Sequence, residues 1–144
     1  MLQQKALIAL MEQLPSHFFE VETNGTKELL PQFSSLIGQV NCSPKLSGSG
    51  NALKVRETPY LAQYIAHPRS TFKFVVGSLT DFEETLAFIQ NHAIPKEKVY
   101  LMPEGRTPDE VADKTSWLVE AAKREGLCMT PRLHVIIWGA KRGV

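Results

Sequence analysis

Cysteine is scarce in this chain: Cys42 and Cys128 are the only two among 144 residues. Two thiols cannot build a disulfide framework or a four-cysteine metal site. An excess of one charge is lacking too. Lys plus Arg number 16 against 15 Asp plus Glu, a formal net charge of +1. A dedicated binder of nucleic acid or anionic membrane carries a clear basic excess. Apolar runs reach only about five or six residues, far below the ~20 that cross a bilayer. The run at residues 6–11 stops at Glu12 and lacks a small-residue cleavage site, which argues against a secretory signal. Repeats, low-complexity tracts and linker-like shifts of composition are missing, as are the P-loop, the dinucleotide fingerprint, zinc-ligand spacing and the nucleophile elbow. What is present, 43% hydrophobic and 22% charged residues, is the profile of a folded cytoplasmic protein. The expectation is one α/β domain over residues 1–144.

Strand and helix signals alternate. Leu7, Leu10, Met11 and Leu14 recur at helical spacing until Pro15. Residues 17–21 read as a strand entering the turn at Asn24-Gly25, and residues 27–36 as a helix that tolerates Pro31 only near its first turn. Residues 39–42 form a second strand ended by Pro44. A polar loop at residues 47–51 and a short helix at 59–66 follow. Residues 72–76 are the clearest strand. Thr80-Asp81-Phe82-Glu83 then reads as a capping box, with Phe82, Leu86 and Ile89 facing the core. Residues 99–102 make a fourth strand. Thr107-Pro108-Asp109-Glu110 opens a helix that runs to Gly126 as its C-cap. Residues 133–138 read as a closing strand. Five strands with crossover helices imply a mostly parallel sheet.

In such sheets ligands gather at the carboxyl ends of strands. Those ends read Glu22-Thr23-Asn24-Gly25-Thr26, Ser43-Pro44-Lys45, Gly77-Ser78, Met102-Pro103-Glu104-Gly105-Arg106 and, on this reading, Gly139-Ala140-Lys141-Arg142-Gly143. The first offers a carboxylate, hydroxyls and a glycine; equally, it is a plain turn with Thr26 as helix N-cap. Ser43 and Lys45 suit a carboxylate or a ribose hydroxyl, or are a surface pair beside a rigid proline. Lys73, between Phe72 and Phe74, faces either solvent or a barrel lumen. His134, in an apolar run, is either a hydrogen-bonded structural residue or a base.

The ordered set Glu22-Thr23-Asn24-Gly25-Thr26, Ser43-Pro44-Lys45, Ser49-Gly50-Asn51, residues 72–76, Pro131-Arg132-Leu133-His134, Trp138-Gly139 and Arg142-Gly143 resembles the 7-carboxy-7-deazaguanine synthase family. These are radical S-adenosylmethionine enzymes of queuosine and other 7-deazapurine synthesis, and the resemblance covers nearly the whole chain. It implies a partial (β/α) barrel of the radical-SAM type, α/β in class, with about five mostly parallel strands. It also implies S-adenosylmethionine, a [4Fe–4S] cluster, Mg²⁺ and a lyase-type ring contraction of a carboxy-tetrahydropterin with loss of ammonia. The partner it implies is that small-molecule substrate, with a homodimer and neither nucleic acid nor membrane.

By the same resemblance, Ser43, Pro44 and Lys45 would line the S-adenosylmethionine site, with Glu22 and Thr23 near its polar end. Leu101, Met102, Pro103 and Glu104 would cradle the adenine through backbone groups; relatives carry glutamine where Met102 stands. His134 and Val144 would meet the substrate. The family's three-cysteine cluster loop, substrate arginine, Mg²⁺ ligand and Gly-Gly-Glu-Pro strand end are not in this sequence. Cluster and metal ligands are therefore expected to be absent, and S-adenosylmethionine binding weak or lost. The preferred reading is a truncated carboxyl-terminal portion, inactive alone. The alternative is a non-catalytic module derived from the family that binds a small molecule or a partner.

Overall fold

Along each longer strand, buried residues alternate with half-exposed ones, which places one face of every strand in a core. The computed structural model describes residues 3–51, 56, 58–141 and 143. Its strands are β1 (Glu20–Thr23), β2 (Gln39–Cys42), β3 (Ser70–Val76), β4 (Val99–Pro103) and β5 (Cys128–Met129). Helix α1 (Gln4–Glu12) precedes them, and α2 (Pro31–Leu36), α3 (Leu61–Ala66), α4 (Leu79–Asn91) and α5 (Pro108–Glu125) stand between successive strands. The strand order is β1-β2-β3-β4-β5. Parallel pairing joins β1 to β2, β2 to β3 and β4 to β5. Sequential order with a helix in every crossover is the order of a (β/α) barrel; a doubly wound sheet reverses at a switch point. The expected α/β class and partial-barrel topology are what the chain adopts.

The chain separates into two compact units, Met1–Phe72 and Lys73–Val144. In the first, Val40, Cys42, Phe72, Phe33, Ile37 and Tyr64 are completely buried. Helix α2 starts at Pro31 in its first turn, where a missing N–H costs nothing. The buried row of α1 is Gln4, Ile8 and Met11, whereas Leu10 is 50% exposed. Of the apolar residues at helical spacing, only Met11 is in the buried row. The Gln4 side chain sets the rotation, donating from Nε2 to Glu28 O at 2.6 Å and accepting from Leu30 N at 3.0 Å. Those bonds satisfy backbone groups of the segment ahead of α2, so burying an amide is tolerated.

The second unit packs Phe74 edge-on against Phe88 and Phe82 against Trp117. Phe82 and Ile89 of the expected α4 face are buried, Leu86 is only half-buried, and Thr85 completes the row. Helix α5 begins as expected. The Thr107 hydroxyl accepts from Glu110 N, the Glu110 carboxylate accepts from Arg106 N, Pro108 takes the first turn, and Gly126 closes the helix at φ 67°. The Arg106 N–H holds the Glu110 carboxyl below its ordinary range.

Two expectations are corrected in this unit. The cap of α4 is Ser78, not Thr80: Ser78 Oγ accepts from Asp81 N at 3.2 Å, and Asp81 reaches back to Gly77 N at 3.0 Å. Residues 133–138 are helix α6 (Leu133–Trp138), not a strand. An apolar run of six fits either period. As a helix it buries Val135 and leaves Leu133, Ile136, Ile137 and Trp138 roughly half-exposed or more. The fifth strand is instead the two-residue β5.

Candidate functional site at the strand ends

In the first unit, β1 and β2 bring Thr23 and Ser43 together: Thr23 is in register with Cys42, and Ser43 N donates to Thr23 O at 2.7 Å. Pro44 is buried, while Ser43 and Lys45 are half-buried. The pair thus stands at the carboxyl end of a parallel strand, with a rigid, buried proline holding it. Thr23 Oγ1 accepts from Gly25 N at 3.2 Å and also bonds the Tyr64 hydroxyl. Gly25 sits at φ 74°, and a Cβ there would lie 2.8 Å from Cys42 Sγ and 3.3 Å from Leu61 Cδ1. Only glycine fits that turn. Thr26 is not a helix cap; its N–H and hydroxyl both donate to Asn24 Oδ1, and the helix starts at Pro31. Tyr64 Oη donates to Lys27 O at 2.7 Å, tying α3 to the same turn.

Cys42 lies in this core with its thiol pushed up to about 12 by burial, against the opposing effect of the Lys45 ammonium. It is a protonated packing residue. Cys128 is exposed, in the other unit. Among the described residues no group of three or more His, Cys, Asp or Glu is placed to hold a metal ion. A cluster held by three or more cysteine thiolates does not fit this residue set.

The half-exposed face of the first unit's strands is polar. Asn41 Nδ2 donates to Glu20 Oε1, Asn41 Oδ1 accepts from Gln39 Nε2 and from Thr71 Oγ1 at 2.8 Å, and Glu22 is in register with Asn41. In the second unit Lys73, Tyr100 and Met102 occupy the half-exposed positions of β3 and β4. Lys73 is therefore on the polar side of its strand, turned away from the buried row of Phe72, Phe74 and Val76.

The β4 end is tightly built. Leu101 and Pro103 are buried, Met102 is half-buried and Glu104 is exposed. Leu101 O accepts from Thr130 N at 2.9 Å, and Glu104 N donates to Val76 O at 2.9 Å. Each carbonyl keeps a second lone pair, so Leu101 O can still accept, whereas the Glu104 N–H is committed. The Glu104 carboxylate pairs with the Lys114 ammonium and lies by Gly77, where a Cβ would meet its Oε2 at 3.3 Å.

His134 is exposed on α6 and lines a cavity of about 420 Å³ with Arg106, Arg132 and Lys141. Val144 lies outside the described residues. The sequence reading missed the position of Arg132. It placed the last strand end after Trp138, whereas β5 ends at Met129 and its rim is residues 130–132. Pro131, which ends strands as well as helices, was the available signal.

No protein-family profile matches the chain. Curated relatives do. The 7-carboxy-7-deazaguanine synthase of Pyrobaculum aerophilum is 36% identical over 124 residues, covering 86% of this chain and 54% of that protein. The protein of the same name from Leptospira interrogans is 28% identical, covering 86% of this chain and 50% of its own length. That from Halobacterium salinarum is 28% identical over 91% of this chain and 59% of its own length. The chain spans about half the length of the curated relatives it matches. No helix among the described residues is long and apolar enough to cross a membrane. By sequence the chain is a homologue of proteins named 7-carboxy-7-deazaguanine synthase, matched over about half of their length.

Proposed function

We propose that this chain is the carboxyl-terminal portion of a 7-carboxy-7-deazaguanine synthase barrel. Its share of the work is to line S-adenosylmethionine and the pterin substrate. The observation that carries this reading is Ser43-Pro44-Lys45 at the carboxyl end of β2, in a sheet of barrel order. The Lys45 ammonium suits the cofactor's carboxylate, and the Ser43 hydroxyl a ribose oxygen or that same carboxylate. Glu22 and Thr23 stand at the neighbouring strand end, with Thr23 already engaged in holding the turn. Leu101 to Glu104 would meet the adenine, and His134 and Val144 the substrate, a carboxy-tetrahydropterin.

In the whole enzyme the cluster and S-adenosylmethionine would supply a radical for ring contraction with loss of ammonia, and Mg²⁺ would assist the substrate. Among the described residues no three or more ligands gather to hold a metal ion, and two cysteines are too few for the cluster, so the chain alone is expected to be inactive and to bind S-adenosylmethionine weakly. It would act in the cytoplasm, as a homodimer, on a small molecule. Calorimetric titration of S-adenosylmethionine into the chain and its Lys45→Ala variant tests the reading. A measurable affinity that falls about tenfold with the lysine, the scale of a charge-assisted hydrogen bond, is expected. Equal affinities would remove the lysine's role. Iron and sulfide at cluster stoichiometry after anaerobic reconstitution would refute the expectation that the chain binds no cluster.

A further inference from the structure

The cavity at the ends of β4 and β5 has a chemistry of its own. Arg106 and Arg132 line it from two successive strand-end loops, Lys141 and Gly139 from the segment after α6, and His134 from α6 itself. Among the described residues no carboxylate lines it. Its volume, about 420 Å³, falls within the range of small-molecule sites. Arg132 is anchored rather than free to sweep: Nη1 donates to Gly105 O at 2.9 Å. Gly105 is itself fixed by close packing, since a Cβ there would meet Val111 Cγ2 at 2.8 Å. That bond uses one edge of the guanidinium. On the other side, Arg132 Nε is buried, and among the described residues it has no acceptor. A buried donor without an acceptor is costly and uncommon.

We infer that this cavity binds the oxyanion group, carboxylate or phosphate, of a small molecule. Arg132 is its principal contact, and Arg106 and Lys141 supply supporting charge. Arg132 lines the cavity, and a guanidinium is a planar multiple donor suited to an oxyanion; its buried Nε–H is a donor that no described residue engages. Without such an anion, three basic side chains line the cavity with no counter-charge from the described residues lining it. Glu110, whose carboxylate accepts from Arg106 N at 2.7 Å, lies outside the cavity lining. An oxyanion seated there requires neither S-adenosylmethionine nor a cluster, so failure of the synthase reading would leave it standing.

The test is amide-resolved NMR of the isotopically labelled chain. It is titrated separately with inorganic phosphate and with benzoate, against sodium chloride at matched ionic strength. Saturable shifts at Gly105, Gly139 and Ala140 are expected with at least one of the two anions and not with chloride. Saturation by benzoate alone assigns a carboxylate, and by phosphate alone a phosphate; both together assign a general oxyanion site. Arg132→Gln should weaken binding about tenfold, with partial rescue by Arg132→Lys. Arg132 also holds the Gly105 carbonyl, so the exposed Lys141 provides a variant that leaves that bond intact; Lys141→Gln should cost about threefold. Lys123→Gln, on α5 and paired with Glu120, should change nothing. Shifts that stay linear with both anions, or affinity unchanged in both the Arg132→Gln and Lys141→Gln variants, would overturn the site.

Discussion

Replacing Gly25 by alanine probes the joint between β1 and β2 on which the Ser43 side of the rim depends. Two costs separate cleanly there. The backbone at φ 74° is a left-handed conformation that costs an L-residue about 1–2 kcal/mol. The added methyl would also sit 2.8 Å from Cys42 Sγ, a completely buried atom that cannot swing into solvent, and 3.3 Å from Leu61 Cδ1. Forcing a methyl into such packing costs about 1–3 kcal/mol more. Gly50 supplies the control within the same unit, at φ 72° with nothing within 4 Å of its notional Cβ. Gly50→Ala should therefore cost about 1–2 kcal/mol and Gly25→Ala about 2–5 kcal/mol. Urea denaturation followed by circular dichroism measures both. The double variant Gly25→Ala with Cys42→Ala should lose less than the sum of its single losses, because deleting Sγ makes room for the methyl. Equal losses for Gly25→Ala and Gly50→Ala would refute the steric part, as would strict additivity in the double variant.

Cys42 and Cys128 should differ sharply toward a thiol reagent. At pH 8 the exposed Cys128 is expected to react promptly, and Cys42, with its thiol near 12, only as fast as the first unit opens. Prompt reaction of both thiols in the native protein would contradict that burial. The same shift has a sign for stability. The folded state holds the Cys42 proton more tightly than the unfolded one, whose thiol has the ordinary value of 9.0. Its contribution is complete below about pH 9 and falls as pH rises toward 12, which a pH series of urea midpoints would register and a Cys42→Ala variant would lose. Thr107→Ala should cost about 1 kcal/mol by freeing Glu110 N at the start of the 18-residue α5. Faster hydrogen exchange confined to the first turn of α5 is the expected signature; an unchanged exchange rate there would count against the cap.

Much of the fold is legible in residues a few positions apart. Gly38 and Pro44 bracket β2, and the structure places it over Gln39–Cys42, the expected residues. Thr107, Pro108, Glu110 and Gly126 delimit α5, because caps act on backbone groups within one turn. Ser43-Pro44-Lys45 could be assigned to a strand end for the same local reason. The alternation of strands and helices was enough to imply parallel pairing, since each crossover is long enough to return the chain in the same direction.

What only the tertiary structure decided involves competition between equally good local choices. Ser78 and Thr80 are both competent caps, and the release of the chain after β3, with Gly77 N bonded to Asp81, selects Ser78. The rotation of α1 turns on Gln4 reaching Glu28 O and Leu30 N, partners more than twenty positions away. Residues 133–138 carry six apolar or weakly polar residues whose pattern fits a strand or a helix, and the ending of β5 at Met129 settled the matter. The cationic cavity was hidden for the same reason. Arg132 meets Gly105 across 27 positions, and no periodicity in sequence reports that two loops of like charge converge. Local chemistry determined where elements begin and end; which side chains share a space was left to packing.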